Sequence, residues 1–323
     1  MLSRRTALLT LLLVLCPLGA SYAQALSNRP VQLIVPFAAG GSIDALARLI
    51  APRMSENLGR QVVVVNAGGA GGIIGAGQVA RATPDGHTVL IMPINLAMMP
   101  ALYRHISFNA ATDFTPITQL IASELVLVGA SKLDADNVQE LIALAKRSPG
   151  TLNYGSTGVA SPLHFAVELL KTNAGIDVQA IQYRGDGPII TALLANEVQL
   201  AVMPISVART YIDSGKFKAL AVTGSQRSRY LPTVPTVAES GLPGYEVSSW
   251  QGLFGPAQMP ADVLRAINEA ARDAVRTPEI ADKLRTQGQE PVGNSSADFA
   301  TRYTADMALF KDIVRKANIP PQD

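Results

Sequence analysis

The chain has 323 residues, of which 48% are hydrophobic, 5% aromatic and 16% charged, with 26 glycines and 21 prolines. This composition is typical of a close-packed α/β protein with many turns, and it excludes a disordered or fibrous chain. The formal net charge of +2 offers no basic surface for nucleic acid or an anionic membrane, so we expect neither as a partner. Because one hydrophobic core rarely supports so many residues, we expect two domains.

Residues 1–25 have the pattern of a signal peptide. Arg4 and Arg5 precede the apolar run Ala7–Val14, and small residues suited to cleavage follow at Ser21–Ala25. The run is shorter than the roughly 20 residues of a membrane span. We therefore predict secretion into the periplasm, by the general or the twin-arginine route, without stable membrane insertion. Cys16 is the only cysteine, so the mature chain is expected to have no disulfide and no thiol ligand.

Strand-length and helix-length segments alternate along the chain. The predicted strands are Val31–Val35, Val62–Val65, Thr88–Met92, Val126–Gly129, Leu152–Tyr154, Val178–Tyr183, Leu200–Met203, Ala219–Val222 and Trp250–Phe254. The predicted helices are Ile43–Leu58, Ala67–Arg81, Asn137–Arg147, Pro162–Thr172, Ile189–Asn196, Ala261–Arg276, Ile280–Gly288 and Ala297–Ala317. This alternation predicts an α/β protein with parallel sheets and crossover helices.

Five loops of small residues follow predicted strands. In the first, Gly40 and Gly41 let the backbone approach a guest closely, and Ser42 is predicted to cap the next helix, whose first N–H groups favour an anion. The five loops are Phe37–Asp44, Asn66–Ile73, Ile94–Ala97, Gly155–Ser161 and Tyr183–Pro188. Ligands of open α/β sheets bind at the carboxyl ends of the strands. We therefore predict a cleft lined by backbone N–H groups and hydroxyls.

The sequence contains no recognisable catalytic signature. The glycine-rich segment Asn66–Gly72 lacks the Lys-Ser/Thr pair of a phosphate loop, and no Gly-x-Ser-x-Gly elbow surrounds Ser156. The three histidines do not have metal-ligand spacing. We expect a protein without catalytic activity, cofactor or metal, and an exported α/β enzyme acting on a small acid remains the alternative.

Several motifs occur in order between about Arg29 and Ile319. They are Pro36-Phe37-x-x-Gly40-Gly41-x-x-Asp44, Val62–Asn66 with its glycine loop, Pro84-Asp85-Gly86, Asp113–Ile117, Tyr183-Arg184-Gly185 and Leu231–Thr236 with Glu239. In these motifs the chain resembles the substrate-binding proteins of tripartite tricarboxylate transporters, also called Bug receptors. It departs from the family pattern at Ala67-Gly68 and at Met203–Ile205, where the family often has an Asp-Asn pair.

The resemblance implies a periplasmic-binding-protein-like Venus flytrap, in which two α/β domains joined by two crossovers enclose the ligand. We place the crossovers near Ser123–Leu125 and Glu246–Trp250. Domain 1 is then predicted to comprise residues 26–124 and 247–323, and domain 2 residues 125–246. The resemblance also implies a monomeric receptor that delivers a small carboxylate to transporter membrane subunits. A receptor for a sensor kinase would use the same fold and remains an alternative.

The resemblance carries over to individual candidate site residues. Phe37, Ala39, Gly40, Gly41 and Asp44 fall on the binding loop of the first domain. Ser156, Thr157 and Gly158 fall on the opposing loop, and Tyr183 and Arg184 on the next. To these we add Ser161, which ends the loop that contains Ser156, and Asn95 and Pro204, which lie near the ends of two further predicted strands.

The positions of acidic residues lead to an expectation about the ligand. A buried ammonium group would need an acidic partner. No acid stands at Met203–Ile205, and Asp44 is expected to be stabilised by the N-terminus of its own helix. We therefore expect a carboxylate without an amine, with Asp186 as the one acid that could reverse this expectation.

Overall fold

A computed structural model of the protein describes residues 29–158, 161–183, 185–317 and 319–321. The predicted signal peptide thus lies outside the described residues. The strands are β1 Val31–Val35, β2 Val62–Asn66, β3 Thr88–Pro93, β4 Phe114–Ser123, β5 Leu125–Ala130, β6 Asn153–Ser156, β7 Gln179–Gln182, β8 Leu200–Pro204, β9 Phe217–Val222, β10 Ser249–Pro256 and β11 Gln289–Pro291. The α-helices are α1 Ser42–Leu58, α2 Ile73–Ala80, α3 Asn95–Leu102, α4 Val138–Arg147, α5 Pro162–Ala174, α6 Asp186–Ala195, α7 Ile205–Asp213, α8 Ala261–Arg276, α9 Pro278–Thr286 and α10 Ser296–Lys316.

The strands form two sheets, of six and five strands. The first has the order β11-β4-β10-β3-β1-β2 and the second β7-β6-β8-β5-β9. In the first, β1 lies parallel to β2 and β3, and β10 runs antiparallel between β3 and β4. In the second, β6 lies parallel to β7 and β8, and β5 runs antiparallel to β8 and β9. We call the first sheet with α1–α3 and α8–α10 lobe 1, and the second with α4–α7 lobe 2.

The local sequence explains why β1 and α1 form side by side. In β1, Leu33 packs into one core cluster and Ile34 into another, because helices cover both faces of a parallel strand. The buried side chains Leu46, Ile50 and Met54 recur every four residues and place one face of α1 against the sheet. The helix ends at Gly59, whose φ of 59° is the left-handed conformation that glycine adopts readily.

Two adjacent connections join the lobes, as the resemblance implied. The chain leaves the six-stranded sheet after β4 and enters the five-stranded sheet at Leu125, and it returns between β9 and β10. The connections are hydrogen bonded to each other: Thr223 N donates to Leu125 O at 3.0 Å, and Val247 N donates to Thr223 O at 2.8 Å. The lobes are also in contact through α10, where the centroid of the Phe310 ring lies 5.2 Å from the centroid of the Phe165 ring on α5.

Four elements of the structure were missed by the sequence prediction, and the helix predicted over Ala67–Arg81 is α2, which begins at Ile73. The strands β4 and β11 and the helices α3 and α7 were not predicted, and the predicted loop Ile94–Ala97 is largely the start of α3. Pro116 lies inside β4 and Pro100 inside α3, and proline inside a segment argues against either assignment. The structure accommodates Pro116 opposite Phe254, next to a register irregularity of β10.

A partly buried ion-pair network fixes α10 to the second connection. Arg302 donates from Nε to Asp306 at 2.9 Å, and its two Nη atoms donate to Glu246 at 2.6 Å and Ser248 at 3.0 Å. The carboxylate of Asp306, a residue only 3% exposed, also accepts from Trp250 Nε1 at 2.7 Å. The charge of Asp306 is therefore buried and compensated by Arg302.

Replacing Arg302 by alanine is expected to lower the free energy of unfolding by about 3 kcal/mol, because the charge of Asp306 would lose its cation. Arg315→Ala on the same helix is the control. Arg315 is 72% exposed where it pairs with Asp312, so its loss should cost less than about 1 kcal/mol. Urea unfolding measures both values, and equal losses would contradict this role of Arg302.

Candidate ligand-binding cleft

A cavity of about 460 Å³ lies between the two lobes. Its volume falls within the range of roughly 300–1,000 Å³ that is usual for small-molecule sites. Lobe 1 contributes Ser42, Ser123, Ser249, Gln251, Gln287, Gly288 and Gln289. Lobe 2 contributes Leu125, Thr157, Ser161, Pro162, Leu163, Gly185, Asp186, Pro204, Ser206 and Val207.

The N-termini of four helices converge on this cavity. Lining residues include Ser42 at the start of α1, Pro162 at the start of α5, Asp186 at the start of α6 and Ser206 in the first turn of α7. The first N–H groups of a helix have no partner within it, and they carry a partial positive charge. Side chains cap none of α1, α6 and α7. The cavity therefore gathers backbone donors suited to an anion.

Side chains add hydroxyls and amides to these donors. Among the described residues that line the cavity, Asp186 is the only one with a charged side chain, and none is lysine, arginine or histidine. Any attraction of the cavity for an anion must therefore come from backbone N–H groups and hydroxyls. This agrees with the sequence-based expectation of a cleft formed by N–H groups and hydroxyls.

Three of the predicted site residues line the cavity: Thr157, Ser161 and Pro204. Thr157 Oγ1 donates to Ser161 Oγ at 2.7 Å, and Ser161 Oγ accepts from Leu163 N at 3.2 Å as the N-cap of α5. These hydroxyls thus border the cavity and also hold the start of α5.

Ser156 takes a different orientation from Thr157. It is completely buried, its Oγ accepts from Gly158 N at 3.2 Å, and the same oxygen lies 3.3 Å from His164 Nδ1. Gly158 has a φ of 131° and so needs the conformational freedom of glycine. Both residues shape the loop between β6 and α5 and do not line this cavity.

Behind that loop lies a buried polar network that the sequence analysis missed. Tyr154 Oη donates to Glu168 at 2.7 Å and lies 2.8 Å from His164 Nδ1, and Lys171 pairs with Glu168 at 2.8 Å. Burial lowers the pKa of His164 and raises that of Tyr154, so both are neutral near pH 7. One signal in the sequence could have indicated the network. His164 and Glu168 are four residues apart on one face of α5, and Tyr154 lies in the preceding strand, β6.

The loop after β1 lies just before Ser42. Phe37 is partly buried, and Ala39, Gly40 and Gly41 are exposed; none of the four lines the cavity itself. Gly40 has a φ of 87°, whereas Gly41 has an extended backbone with a φ of −76°. The prediction that Ser42 caps α1 was wrong: Gly41 is the N-cap, and Ser42 is the first helical residue.

Asp44 stabilises this loop from within lobe 1. It is 3% exposed, and its carboxylate accepts from Arg48 Nε at 2.9 Å, Gly40 N at 2.9 Å and Asn66 Nδ2 at 3.0 Å. These bonds, that of Arg48 above all, lower the pKa of Asp44 from 3.8 to about 2. The carboxylate is thus occupied by protein donors, and Asp44 does not line the cavity.

The remaining predicted residues lie around the cavity or outside the described residues. Tyr183 packs against the core of lobe 2, and Asn95 is the first residue of α3; neither lines the cavity. Arg184 is not among the described residues. Conversely, Ser123, Ser249, Gln251 and Gln287–Gln289 line the cavity without having been predicted. The proximity of Ser123 and Ser249 to the predicted crossovers could have indicated the first two.

The fold and the cleft together define a class of protein. Two α/β lobes that are joined by adjacent connections and enclose a cavity at strand carboxyl ends have the architecture of a solute-binding protein. The model of the protein family described as "Tripartite tricarboxylate transporter family receptor" matches residues 46–319 of this chain. The chain therefore belongs to this family of periplasmic receptors.

Individual relatives agree with this assignment. The chain is 33% identical over 296 residues to the UPF0065 protein in the tcbD-tcbE intergenic region of Pseudomonas sp. strain P51, which covers 91% of this chain and 88% of that protein. The structure of Rpa4515 from R. palustris with adipate has a TM-score of 0.73 and 33% identity over 92% of this chain and 99% of that one. The structure of MatC from Rhodopseudomonas palustris with bound malate has a TM-score of 0.70 and 29% identity over 88% and 99%.

In residues 29–158, 161–183, 185–317 and 319–321, no helix is both long and apolar enough to cross a membrane. Over the same part of the chain, no three or more His, Cys, Asp or Glu side chains are grouped so that they could hold a metal ion.

Asp44→Asn is expected to lower the free energy of unfolding at pH 7 by about 1–3 kcal/mol, through loss of hydrogen bonds to a charged acceptor. Because the folded-state pKa of Asp44 is lowered to about 2, its charge stabilises the fold above pH 4, and this contribution disappears as the pH falls from 4 towards 2. The difference between wild type and variant should therefore narrow over that range in urea unfolding.

Asp262→Asn is the matched control, since Asp262 also stands in the first turn of a helix, α8. Within the described residues its carboxylate accepts no hydrogen bond, so its replacement should leave stability almost unchanged. A difference for Asp44→Asn that stays constant down to pH 2 would contradict the assigned pKa.

Gly288 brings the lobes into direct contact. It precedes β11 with a φ of 69°, and a Cβ at this position would lie 2.3 Å from the Cβ of Ser206 on α7. Gly288→Ala should therefore move the lobes apart. Spin labels on cysteines introduced at the exposed residues Lys132 and Glu279, one on each lobe, would report a changed distance. Gly215→Ala is the control, because Gly215 has a similar φ of 70° and an added Cβ there would have no atom within 4 Å. If Gly215→Ala changed the distance between the labels equally, backbone strain and not the contact with Ser206 would be the cause.

Proposed function

We propose that this protein is a periplasmic receptor that captures a small carboxylate between its lobes and delivers it to the membrane subunits of a tripartite tricarboxylate-type transporter. The observation that carries the proposal is the convergence of four helix N-termini on one interlobe cavity. Three of these ends have no side-chain cap. Ile205 N at the start of α7 donates to Glu124 O at 3.0 Å, and the other first-turn N–H groups of these helices, which have no partner within their helix, are proposed to bind a carboxylate. No cationic side chain is needed for such a site.

The related structures support the choice of a carboxylate. Rpa4515 is described with adipate and MatC with malate, and both are organic acids of a size that a cavity of about 460 Å³ accommodates. Membership of the receptor family supports the delivery step. We accordingly propose secretion through the predicted signal peptide, residues 1–25, and a monomeric mature protein.

We divide the candidate site residues into two groups. Thr157, Ser161 and Pro204, with the backbone of Ser42, are proposed to face the carboxylate. A second group supports the loops or borders the cleft: Phe37, Ala39, Gly40, Gly41, Asp44, Asn95, Ser156, Gly158 and Tyr183. Arg184 stays a prediction from the sequence. The proposed domains are residues 26–124 with 247–323, and residues 125–246.

We propose binding without catalysis, because the serine hydroxyl and imidazole that lie side by side near the cleft, Ser156 and His164, do not face it. Ser156 and His164 are 0% and 5% exposed, and their polar atoms contact Gly158, Tyr154 and each other. A nucleophile must reach its substrate. This pair instead fixes the shape of the loop that carries Thr157.

The proposal is tested by thermal shift and calorimetry with mono-, di- and tricarboxylates, aromatic acids and amino acids. A true ligand at about 100 times its dissociation constant stabilises the fold by about 2.7 kcal/mol. Thr157→Val keeps the shape and removes the hydroxyl, so it should weaken binding about tenfold, or roughly 1.4 kcal/mol.

Thr151→Val serves as the control for the hydroxyl. Thr151 is an exposed residue of lobe 2 whose hydroxyl donates to Ser148 O, and it does not line the cavity. Its replacement should leave affinity unchanged. If no carboxylate stabilises the protein, or if Thr157→Val binds as the wild type does, the assignment of this cleft is wrong.

A further inference from the structure

An ion pair joins the two lobes beside the cleft. Arg229 of lobe 2 donates from Nη2 to the carboxylate of Glu290 on β11 of lobe 1. Glu290 follows Gly288 by two residues, and Gly288 and Ser206 line the cleft from opposite lobes where they meet. A rotation about the connections that separated Gly288 from Ser206 would therefore also pull Arg229 away from Glu290.

Arg229 is held in position by its neighbours in lobe 2. Ser228 is 3% exposed; its Oγ donates to the carboxylate of Glu124 and accepts from Tyr230 N at 3.0 Å. The guanidinium of Arg229 lies 5.0 Å from the centroid of the Tyr230 ring and donates to Tyr230 Oη at 3.1 Å. Because the side chain is already stacked on this ring, it loses less conformational freedom on pairing than a freely moving surface arginine would.

Glu290 is held in the same way within lobe 1. Its backbone pairs with Ala122 on β4, and its Oε1 lies 3.6 Å from Arg285 Nε on α9. Glu290 thus lies between an arginine of each lobe. If the lobes separated, Glu290 would keep Arg285 and lose only Arg229. The interlobe pair can therefore break and form again without leaving an isolated buried charge.

The boundary between the lobes is polar around this pair. A second cavity, of about 320 Å³, lies there between α7 and the end of α9, and Tyr230, Arg209 and Arg285 line it. Among its described lining residues, Ile205 alone has an aliphatic side chain. Apolar burial thus contributes little on this side of the molecule, in contrast to the aromatic contact between α5 and α10. Charge pairing is the main attraction between the lobes at this edge.

We propose that Arg229 and Glu290 form an ionic latch that stabilises the closed arrangement, in which the lobes are in contact beside the cleft, and that this latch weakens as ionic strength rises. The latch acts in the empty receptor, so the inference goes beyond ligand capture and is independent of which acid the cleft binds. The two side chains are 49% and 30% exposed, and salt screens exposed charges over about 10 Å at 0.1 M but only about 3 Å at 1 M. An exposed pair shifts an equilibrium by at most about fivefold, so the latch favours closure without preventing release.

The test measures distances between spin labels on the ligand-free protein. Labels are attached to cysteines introduced at Lys132 and Glu279, since the chain without residues 1–25 contains no other cysteine. At low salt, Arg229→Gln should lower the ratio of the shorter-distance to the longer-distance population about threefold. Glu290→Gln should have the same effect. Because both changes remove one pair, the double variant should not differ from either single variant.

Salt provides a second measurement on the same labelled proteins. Raising the salt concentration to about 1 M should lower the ratio in the wild type about threefold, because the exposed pair is then screened. The two single variants no longer have the pair, so salt should leave their ratios almost unchanged.

Arg227→Gln is the matched control. Arg227 lies two residues from Arg229 and pairs with Glu239 at 3.0 Å, with both side chains 47% exposed, but this pair lies wholly within lobe 2. The variant removes the same charge from the same surface, and it should keep the wild-type ratio. Urea unfolding of each variant shows whether the fold is retained.

Four results would each overturn the latch. They are an unchanged ratio in Arg229→Gln or Glu290→Gln, an equal fall in Arg227→Gln, a further fall in the double variant, and a wild-type ratio that does not respond to salt. Since the measurement needs no ligand, none of these results bears on whether the cleft binds a carboxylate, which calorimetry measures separately.

Discussion

Parallel strand pairing is the constraint on which the cleft depends. In a strand–helix unit each helix begins where its strand ends, so parallel strands bring the starts of their helices to one edge of the sheet. In lobe 1 this places α1 after β1; in lobe 2 it places α5, α6 and α7 after the three parallel strands β6, β7 and β8. Both edges face the cavity, and the concentration of N–H donors there follows directly from the topology.

The junction of the lobes has a different physical basis. Two connections run side by side, and their bonds through Thr223 are backbone bonds to Leu125 and Val247. Next to them, Arg302 ties α10 to Glu246 and Ser248, while Phe310 reaches α5 of the other lobe. The helix that closes lobe 1 is thus packed against the helix whose N-terminus borders the cleft. Lobe position and the α5 end of the site are therefore connected through aromatic packing.

Much of the fold could be predicted from the sequence because hydrophobic periodicity, and the glycines and prolines that end helices and strands, are local features of the chain. Val31–Val35 and Ala261–Arg276 were located with their bounds, and three of the five predicted loops contribute residues to the candidate cavity. The sequence could not show the direction in which each side chain points, or which residues distant in the chain meet at the cavity. Neighbouring residues at a strand end point to opposite sides, so Thr157 lines the cavity while Ser156 is buried against His164. Gln251 and Gln287 reach the cavity from an antiparallel strand and a turn, and only the folded structure brings these together.

The absence of cationic side chains among the described lining residues has an evolutionary consequence. Backbone donors do not change when a side chain is replaced, so any sequence that keeps the four helix starts keeps an attraction for anions. Substitutions of the side chains that line the cavity can then alter which acid is preferred without first abolishing binding. A lineage built on this scaffold can pass from one nutrient to another through intermediates that still capture an acid, because affinity comes from the main chain and discrimination from a few side chains.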